Sequence, residues 1–528
     1  MTLALDDKSL VVKSLQETLG DDHVVTDPAE RQFFSADIFF EAEAPEIVIQ
    51  PANEKELARA ISVATDAGMA VYPRGGGISY TAGYLPTGPG GIVVDMRRMN
   101  QIIEINTDDM YVTVEAGCTW KDLYEALKKK GVRTPYFGPV SGMYATIGGT
   151  LSQNSLWFGS GLYGTVAESV LGLRVVLANG SGITLGSAAT PHDPSPFFRS
   201  YGPDLVGLFL SDTGALGIKV RATLKVIPWP EVEMYASFAY ESYEAVASAI
   251  AEIGKRGLAA ECMGLDPYQQ HVRMKRAGLM KDLETLAGVA RSGRSVLDGV
   301  KKAASVAAHG RRFLDKVGYA MHVVVEGRDE ASTKGALDAV RKLALREGRE
   351  IPNSLPKVFR STPFAAPNTI LGPDGQRWVP VHAIVPNSRY VATIGRIHQY
   401  FEDNAAVMAE HGIEWGYVMS ACGQQACLVE PTFFWEDARK AIHEYFVEDS
   451  HLATLEKFPE NLAARETVLK LRSGLADLFM ELGAVHLQIG RLYRYKEGRE
   501  PETFDLLKAI KAYVDPKGLM NPGSLGLT

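Results

Sequence analysis

The sequence predicts an α+β protein built from two regions that meet near Glu231. Its 528 residues, 46% of them hydrophobic, are enough for at least two separately packed cores. Up to that point, short β-branched runs alternate with helical periodicity, which is typical of small α/β layers. Beyond it, longer strands separated by helices indicate an antiparallel sheet covered by helices.

The first region begins with a β-α-β unit. Helical periodicity over 8–20 precedes a buried strand at 46–51, and Asn53 is placed to cap the helix that follows it. The run AVYPR then returns to strand. The later elements of this region are strands at 90–96 and 102–117, a helix at 120–131, a hairpin at 170–186 that turns at Asn179-Gly180, and a strand at 216–230.

The second region alternates strands with helices, and a C-terminal helix ends at Asp515-Pro516. Between two of its strands lies a basic stretch around Lys301, Arg311 and Arg312, which we predict to be a solvated face. The predicted strands are 234–242, 319–327, 379–387 and 426–431, and the predicted helices are 243–256, 331–347, 390–411 and 435–446.

Charge, cysteine content and the distribution of apolar residues exclude several classes of protein. The formal net charge is -8 and no block of Lys and Arg occurs, which argues against nucleic acid. Four cysteines are too few and too scattered for a disulfide framework. The N-terminus is acidic where a signal peptide needs a basic start, and no apolar run reaches the ~20 residues of a membrane span. These features predict a cytoplasmic protein without a membrane span.

A glycine-rich loop, YPRGGGISYTAGYLP, places Gly75, Gly76 and Gly77 directly after an apolar run. Such a loop lets backbone N–H groups point into one concavity, where they bind phosphate oxygens, and glycine keeps side chains out of the way. Taken alone, a glycine run is more often an ordinary turn. The pattern is neither G-x-G-x-x-G before a helix nor a Walker loop with its lysine, so a Rossmann-bound nucleotide and ATP are both disfavoured.

Five further segments accompany this loop in order: VEAGCTWKDLYEAL, GPVSGMYATIGGTLSQNS, LYGTVAESVLGLRVVLANG, GALGIKV and DPKGLMNPGSLG. Together they resemble the FAD-binding module of the vanillyl-alcohol oxidase/p-cresol methylhydroxylase (PCMH-type) superfamily of FAD-linked oxidoreductases. The resemblance implies a two-subdomain FAD-binding domain at 1–230 and a substrate-binding cap domain at 231–484. It also implies a C-terminal segment, 485–528, that returns to the FAD-binding domain.

The same resemblance assigns residues to the cofactor. The loop from Arg74 to Ser79 would bind the diphosphate of FAD, and the stretch around Thr146 would follow the diphosphate and the flavin ring. The implied cofactor-binding residues are Pro73, Arg74, Gly75, Gly76, Gly77, Ile78, Ser79, Pro139, Thr146, Gly148, Gly149, Ser152, Tyr163, Gly164, Gly214, Gly217, Ile218, His382 and Asn521.

A separate hypothesis is that the flavin is covalently attached to His382. In some members of the superfamily a histidine of the glycine loop links to the flavin, but that place holds Ile78 here. In others the link comes from a strand of the substrate domain, and WVPVHAIVPNS resembles that strand with His382 at the linking position. A buried core histidine is the alternative.

Two branches of the superfamily offer different substrates. In D-lactate and D-2-hydroxyglutarate dehydrogenases, a H-x-G-x-G-N-x-H strand and a Glu-His-Gly turn hold a divalent metal. Here the strand YVMSACGQQACLVEP has no histidine, and the turn is replaced by AVHLQIGRLY. Because a metal needs its full ligand set, we predict no metal site, and the metal-dependent branch is disfavoured.

The phenol-oxidising branch uses a tyrosine after the glycine loop, which Tyr80 matches. Its C-terminal Tyr-Arg pair is replaced by Val485-His486, and Ser152 stands where that branch has an acid/base aspartate, so a quinone-methide mechanism is in doubt. A proton acceptor is still required as hydride leaves carbon, and His486 is the candidate base. Tyr80 would hydrogen-bond the substrate oxygen, and Arg494 or Arg491 would hold an anionic group. His486 also fits a packing role, and both arginines fit surface roles.

These features together predict an FAD-dependent oxidoreductase that removes hydride from an alcohol or phenolic, aromatic substrate. Molecular oxygen or an electron-carrier protein would reoxidise the flavin, and the superfamily resemblance implies a homodimer. One alternative is a D-2-hydroxy-acid dehydrogenase that has lost its metal site. The other is a flavoprotein subunit without catalytic activity.

Overall fold

The chain divides into two units. The computed structural model describes residues 5–192, 194–276 and 318–527. By contacts between residues, the first unit comprises 1–155, 166–229 and 486–528, and the second comprises 156–165 and 230–485. The basic stretch around Lys301, Arg311 and Arg312 lies outside the described residues.

The first unit contains a four-stranded sheet made largely of parallel strands. Strand Ile92–Asp95 lies between Ile47–Ile49 and Val71–Arg74 and runs parallel to both, while the two-residue strand Val24–Val25 pairs antiparallel with Ile47–Ile49. The helix Glu54–Asp66 connects two of the parallel strands and buries Leu57, Ala60, Ile61 and Ala64. Parallel strands need such a crossover helix, which explains the β-α-β pattern of the sequence.

A second, antiparallel sheet of five strands completes the framework of this unit. Its order is Ile102–Asn106, Tyr111–Glu115, Ile218–Lys225, Val170–Val176 and Gly182–Leu185. A short ribbon joins Val132–Arg133 to Ile227–Pro228. The helices of the unit are Leu5–Leu19, Pro28–Phe33, Glu54–Asp66, Trp120–Lys128, Ile147–Gln153, Leu205–Leu208 and Pro501–Val514.

The second unit is built on one antiparallel sheet of eight strands. The order is Arg349–Ile351, Val232–Tyr240, Tyr319–Gly327, Glu261–Leu265, Glu414–Cys422, Ala426–Trp435 and Arg377–Pro380, and Ala383–Pro386 also pairs with Ala426–Trp435. Its helices are Ser160–Tyr163, Tyr243–Lys255, Pro267–Arg276, Glu330–Ala344, Ser354–Ser361, Tyr390–Asp403, Ala405–Glu410, Ala441–Phe446, Asp449–Leu452 and Leu462–Glu481. The predicted α+β class with an antiparallel sheet in the second region is confirmed.

Local signals in the sequence account for several of these boundaries. The side chain of Asn53 accepts a hydrogen bond from the N–H of Glu56 and caps its helix as predicted. The hairpin after Val170–Val176 turns through Gly180, whose φ of +78° is the left-handed conformation that the Asn-Gly signal indicates.

Three predicted elements of the second region are wrong in detail. The strand predicted at 379–387 is interrupted at Val381 and His382, and its two halves pair with different parts of Ala426–Trp435. The helix predicted at 435–446 begins only at Ala441, because the aromatic run through Trp435 extends the preceding strand and pairs with Arg377. The helix predicted at 390–411 divides at Asn404, whose side-chain amide donates to the carbonyl of Tyr400.

A buried acid in the second unit makes stability depend on pH. Asp266 is 6% exposed, and burial raises the pKa of its carboxyl to about 7. A raised folded-state pKa means that the folded protein holds the proton longer than the unfolded chain, so stability falls as pH rises from about 4 to about 7. We expect Asp266→Asn, whose amide oxygen can still accept from the N–H of Gln269, to be more stable than wild type at pH 8.

The expected gain above pH 7 is on the order of 4 kcal/mol, from a shift of about three pKa units at ~1.4 kcal/mol each. At pH 4 the wild-type carboxyl is protonated and the difference should vanish. Chemical denaturation at both pH values measures the two free energies of unfolding. A difference between Asp266→Asn and wild type that does not change with pH would contradict this assignment.

Candidate functional site

The glycine loop follows strand Val71–Arg74 of the first unit and is closely packed against another segment of the same unit. A Cβ atom added to Gly76 would collide with the carbonyl oxygen of Tyr144, so only glycine permits this approach. Gly77 has a φ of +74°, in the left-handed region that favours glycine. The hydroxyl of Tyr84 donates to the carbonyl of Gly77 at 2.7 Å, and burial raises the pKa of this phenol, which therefore stays a neutral donor.

Arg74, the residue before the glycines, is buried beneath an aromatic cluster. Its side chain is 1% exposed, and its guanidinium lies 5.0–5.6 Å from the ring centres of Phe33, Phe34 and Tyr84. Cation–π contacts of this kind hold a desolvated guanidinium in place. Arg74 thus fixes the start of the loop through its side chain.

The helix Ile147–Gln153 lies opposite the glycine loop and forms a second wall of the site. Thr146 caps its first turn by accepting a hydrogen bond from the N–H of Gly149 at 3.3 Å. Thr150, one turn further on, accepts from the indole of Trp120 at 2.8 Å. These bonds fix a short, glycine-containing helix start facing the loop.

A third wall comes from a strained turn before strand Ile218–Lys225. Ser211 and Thr213 have φ values of +58° and +54°, which side-chain-bearing residues rarely adopt. Their N–H groups donate to the carbonyls of Leu151 and Ser152, at 2.9 Å each, and so tie the turn to the helix wall. The turn is further anchored by a buried ion pair between Asp212 and Lys219 at 2.6 Å.

These three walls enclose a cleft of about 910 Å³, including the part open to solvent. Most of the residues that the sequence assigned to a cofactor line this one cleft. They are Pro73, Arg74, Gly75, Gly76, Gly77, Ile78, Ser79, Pro139, Thr146, Gly148, Gly149, Ser152, Gly214, Gly217 and Ile218.

Other predicted residues lie elsewhere. Tyr163 and Gly164 belong to the segment 156–165, which groups with the second unit. His382, also in the second unit, is fully buried at the break between strands Arg377–Pro380 and Ala383–Pro386. The assignment of these three residues to the cofactor stays a prediction.

Asn521 does not line the cleft but bonds to residues that do. Its side-chain amide donates to the carbonyls of Gly83 and Thr213 at 2.7 and 2.6 Å, and its oxygen accepts from Arg491 at 2.7 Å. The guanidinium of Arg491 also donates to the carbonyl of Leu85 at 2.9 Å, and burial lowers its pKa to about 10. Asn521 and Arg491 thus join the C-terminal segment to the chain that follows the glycine loop.

The three predicted catalytic residues all lie in the first unit and line no part of the cleft. Tyr80 is 9% exposed, and its hydroxyl accepts a hydrogen bond from the amide of Gln488 at 2.9 Å. The imidazole of His486 stacks on the ring of Tyr493 with centres 3.9 Å apart and planes 12° apart. Arg494 donates to the carbonyl of Leu492 at 3.1 Å.

Gln488 lines the cleft and was missed by the sequence analysis. Its signal is weak, a single amide in the apolar stretch AVHLQIGRLY, and only the contact with Ser79 and Tyr80, four hundred residues earlier in the chain, reveals its position. Gln153 and Thr213 also line the cleft and were not predicted.

The described residues contain neither a cluster suited to a metal ion nor a helix suited to crossing a membrane. Among residues 5–192, 194–276 and 318–527, no group of three or more His, Cys, Asp or Glu side chains is arranged to hold a metal ion. Within the same ranges, no helix combines the length and the apolar character that crossing a bilayer requires.

Two segments of the chain match known flavoprotein families. Residues 45–186 match the FAD binding domain, and residues 489–525 match the C-terminal domain of FAD linked oxidases. The chain thus carries an FAD binding domain and the C-terminal domain of FAD linked oxidases. These matches confirm the resemblance to FAD-linked oxidoreductases and FAD as the cofactor.

Relatives by sequence match only part of the chain. The glycolate oxidase subunit GlcD of Bacillus subtilis (strain 168) is 34% identical over 209 residues, which are 40% of this chain and 43% of that protein. D-lactate dehydrogenase [cytochrome] 1, mitochondrial, of Saccharomyces cerevisiae is 29% identical over 223 residues, 42% of this chain and 36% of that protein. The chain thus spans less than half the length of these curated relatives.

Solved structures share the fold over nearly the whole chain. Substrate-bound p-cresol methylhydroxylase superposes with a TM-score of 0.73 at 16% identity, covering 99% of this chain and 98% of that one. An alkyldihydroxyacetonephosphate synthase superposes with a TM-score of 0.68 at 15% identity, covering 97% and 84%. Both proteins therefore share the fold of this chain.

The cleft of the first unit suits the diphosphate of FAD. Diphosphate binding needs N–H donors with no side chain in the way, and Gly75, Gly76 and Gly77 line the cleft without placing a side chain in it. FAD, when bound, supplies a two-electron acceptor. The protein supplies the loop, the helix wall and the amide of Gln488 around it.

Proposed function

We propose that this protein is an FAD-dependent oxidoreductase that removes hydride from an alcohol or from a phenolic, aromatic substrate. The observation that carries the proposal is the glycine-lined cleft of the first unit, which gathers most of the cofactor residues inferred from the sequence. On either substrate the hydroxyl loses its proton as hydride leaves carbon, so a base must accompany the flavin.

The names of the similar proteins support this class of substrate. Glycolate and lactate carry a hydroxyl on the carbon that is oxidised, and p-cresol and 4-ethylphenol are phenols. The structural relatives that act on phenols extend over nearly the whole chain, which favours the aromatic class.

We assign the proton transfer to His486. Its imidazole is held flat against Tyr493, which fixes the plane of the ring, and an imidazole can accept a proton near neutral pH. In this proposal a ring nitrogen of His486 accepts the hydroxyl proton, Tyr80 donates a hydrogen bond to the substrate oxygen, and Arg494 holds an anionic group. Reoxidation by O₂ or an electron carrier, a homodimer and a cytoplasmic location stay predictions.

Anaerobic mixing of the holoprotein with a substrate panel tests the proposal. We expect benzylic alcohols or alkylphenols to bleach the flavin absorbance near ~450 nm, because hydride transfer reduces the flavin. Bleaching by no alcohol and no phenol would overturn the proposal and favour a flavoprotein subunit without catalytic activity.

The second candidate is a D-2-hydroxy-acid dehydrogenase, favoured by the sequence similarity to glycolate oxidase and D-lactate dehydrogenase. The same panel therefore includes D-lactate, D-2-hydroxyglutarate and glycolate, each with and without a chelator. Bleaching by a D-2-hydroxy acid alone would select this candidate. Its sensitivity to chelator would then show whether a metal takes part.

Covalent attachment of FAD through His382 is the remaining part of the proposal. Its support is the resemblance of WVPVHAIVPNS to a linking strand, and the complete burial of His382 also suits a core histidine. We expect acid precipitation of the holoprotein to leave the yellow colour in the pellet, and His382→Ala to release it. Yellow supernatant from the wild-type protein would assign His382 to the core instead.

A further inference from the structure

Gln488 adopts a backbone conformation that normally requires glycine. Its φ is +44°, in the left-handed region that a side chain makes costly. The cost would disappear if the residue were glycine, as it is two positions later at Gly490, whose φ is +52°. A side chain retained at such a position indicates that its functional groups are used.

Three hydrogen bonds hold Gln488 in place. Its backbone N–H donates to the carbonyl of Gln153 at 2.7 Å. Its side-chain oxygen accepts from the hydroxyl of Ser79 at 2.9 Å, and its side-chain nitrogen donates to the hydroxyl of Tyr80 at 2.9 Å. One amide thus bridges two consecutive residues at the end of the glycine loop.

The segment after Gln488 is joined to the segment after the loop by further contacts. Gly490 lies so close to Thr81 that an added Cβ would collide with the carbonyl and the hydroxyl of Thr81. The N–H of Arg491 donates to the same carbonyl at 2.8 Å. Gln488 also lines the cleft. Its amide therefore connects these two joined segments to the cofactor site.

We infer that Gln488 is a positioning residue, an amide clamp that sets Ser79 for cofactor binding and Tyr80 for the reaction. Through Ser79 it holds the last residue of the diphosphate-binding loop in the cleft wall. Through Tyr80 it fixes the phenolic oxygen as an acceptor, so the hydroxyl proton of Tyr80 is directed away from Gln488. The role of Tyr80 rests on the proposed function, whereas the role of Ser79 does not.

Two substitutions test the contact of Gln488 with Ser79 and its contact with Tyr80 separately. Gln488→Gly removes both side-chain bonds and relieves the backbone, so the fold should tolerate it. Gln488→Glu keeps the size and the acceptor for Ser79 but has no N–H to donate, so the hydroxyl of Tyr80 must turn and donate to the carboxylate. A matched control is Asn154→Gly, which removes a side chain from another left-handed position, with a φ of +51°, that does not line the cleft.

FAD affinity is measured on the full-length protein by the FAD retained on dilution, or by the shift of the flavin absorbance band where the flavin does not dissociate. We expect Gln488→Gly to weaken FAD binding about tenfold, the effect of losing roughly one net hydrogen bond, while its melting temperature stays close to that of Asn154→Gly. We expect Gln488→Glu to retain the bond to Ser79 but to bind FAD less tightly than wild type, because its carboxylate repels the anionic diphosphate. Equal FAD affinity in Gln488→Gly and wild type would overturn the inference.

The pH profile of flavin reduction tests the proposed effect of Gln488 on Tyr80. We expect Gln488→Glu to lower the reduction rate and to add an ionisation to the profile that wild type lacks, which a merely structural role would not do. An unchanged rate and profile would overturn the role of Tyr80. If no substrate reduces the wild-type flavin, the proposed function fails, and FAD retention by Gln488→Gly still decides the clamp.

Discussion

Replacing Gly76 with alanine is expected to abolish FAD binding. The added Cβ would overlap the backbone carbonyl of Tyr144, which cannot rotate away as a flexible side chain would. The loop and the segment before the helix Ile147–Gln153 must then separate, and the N–H groups of the loop no longer converge on one site. We expect the purified Gly76→Ala protein to be colourless, with FAD affinity reduced at least ~100-fold, the loss of two or more charge-assisted hydrogen bonds.

Gly88→Ala is the matched control, because an added Cβ there meets no atom within 4 Å and its φ is not left-handed. It should bind FAD like wild type, as judged by the ratio of flavin to protein absorbance. Circular dichroism of Gly76→Ala distinguishes a blocked cleft from an unfolded protein. A yellow Gly76→Ala protein with normal affinity would show that the diphosphate is not bound at this loop.

Most of the residues that the family resemblance assigned to the cofactor line one cleft, and the segments that carry the resemblance are marked by local backbone requirements. Backbone N–H groups need glycine close to the ligand, and a glycine run after a strand marks that need directly in the chain. The helix cap at Thr146 and the turn at Gly214 leave similar marks, and all of these residues line one cleft. Steric requirements of the backbone are therefore the part of a site that a single sequence shows most clearly.

The contacts that connect distant segments could not be predicted in the same way. Nothing near Gln488 in the chain indicates that its amide meets Ser79 and Tyr80, and nothing near Asn521 indicates that its amide bonds to Gly83 and Thr213. The interrupted strand at His382 is a similar case, since pairing partners along Ala426–Trp435 decide where it breaks. Side-chain bonds across long separations leave no periodicity in the sequence.

Replacing His486 with glutamine tests the proposed base and is expected to have the second large effect. Glutamine keeps a polar group of similar length but cannot accept a proton near neutral pH, so the rate of flavin reduction should fall ~10²- to 10⁴-fold. FAD content should not change, because His486 does not line the cleft. The acidic limb of the wild-type pH–rate profile, which reports protonation of the base, should disappear in the variant.

His398→Gln is the control for this experiment, because His398 is also a partly buried, stacked histidine. Its ring lies 4.7 Å from that of Tyr243, and it shares a hydrogen bond of 2.9 Å with the hydroxyl of Tyr417 in the second unit. The same chemical change there should cost stability without changing the pH–rate profile. If His486→Gln retains both the wild-type rate and the acidic limb, another group takes the proton, and His486 only packs against Tyr493.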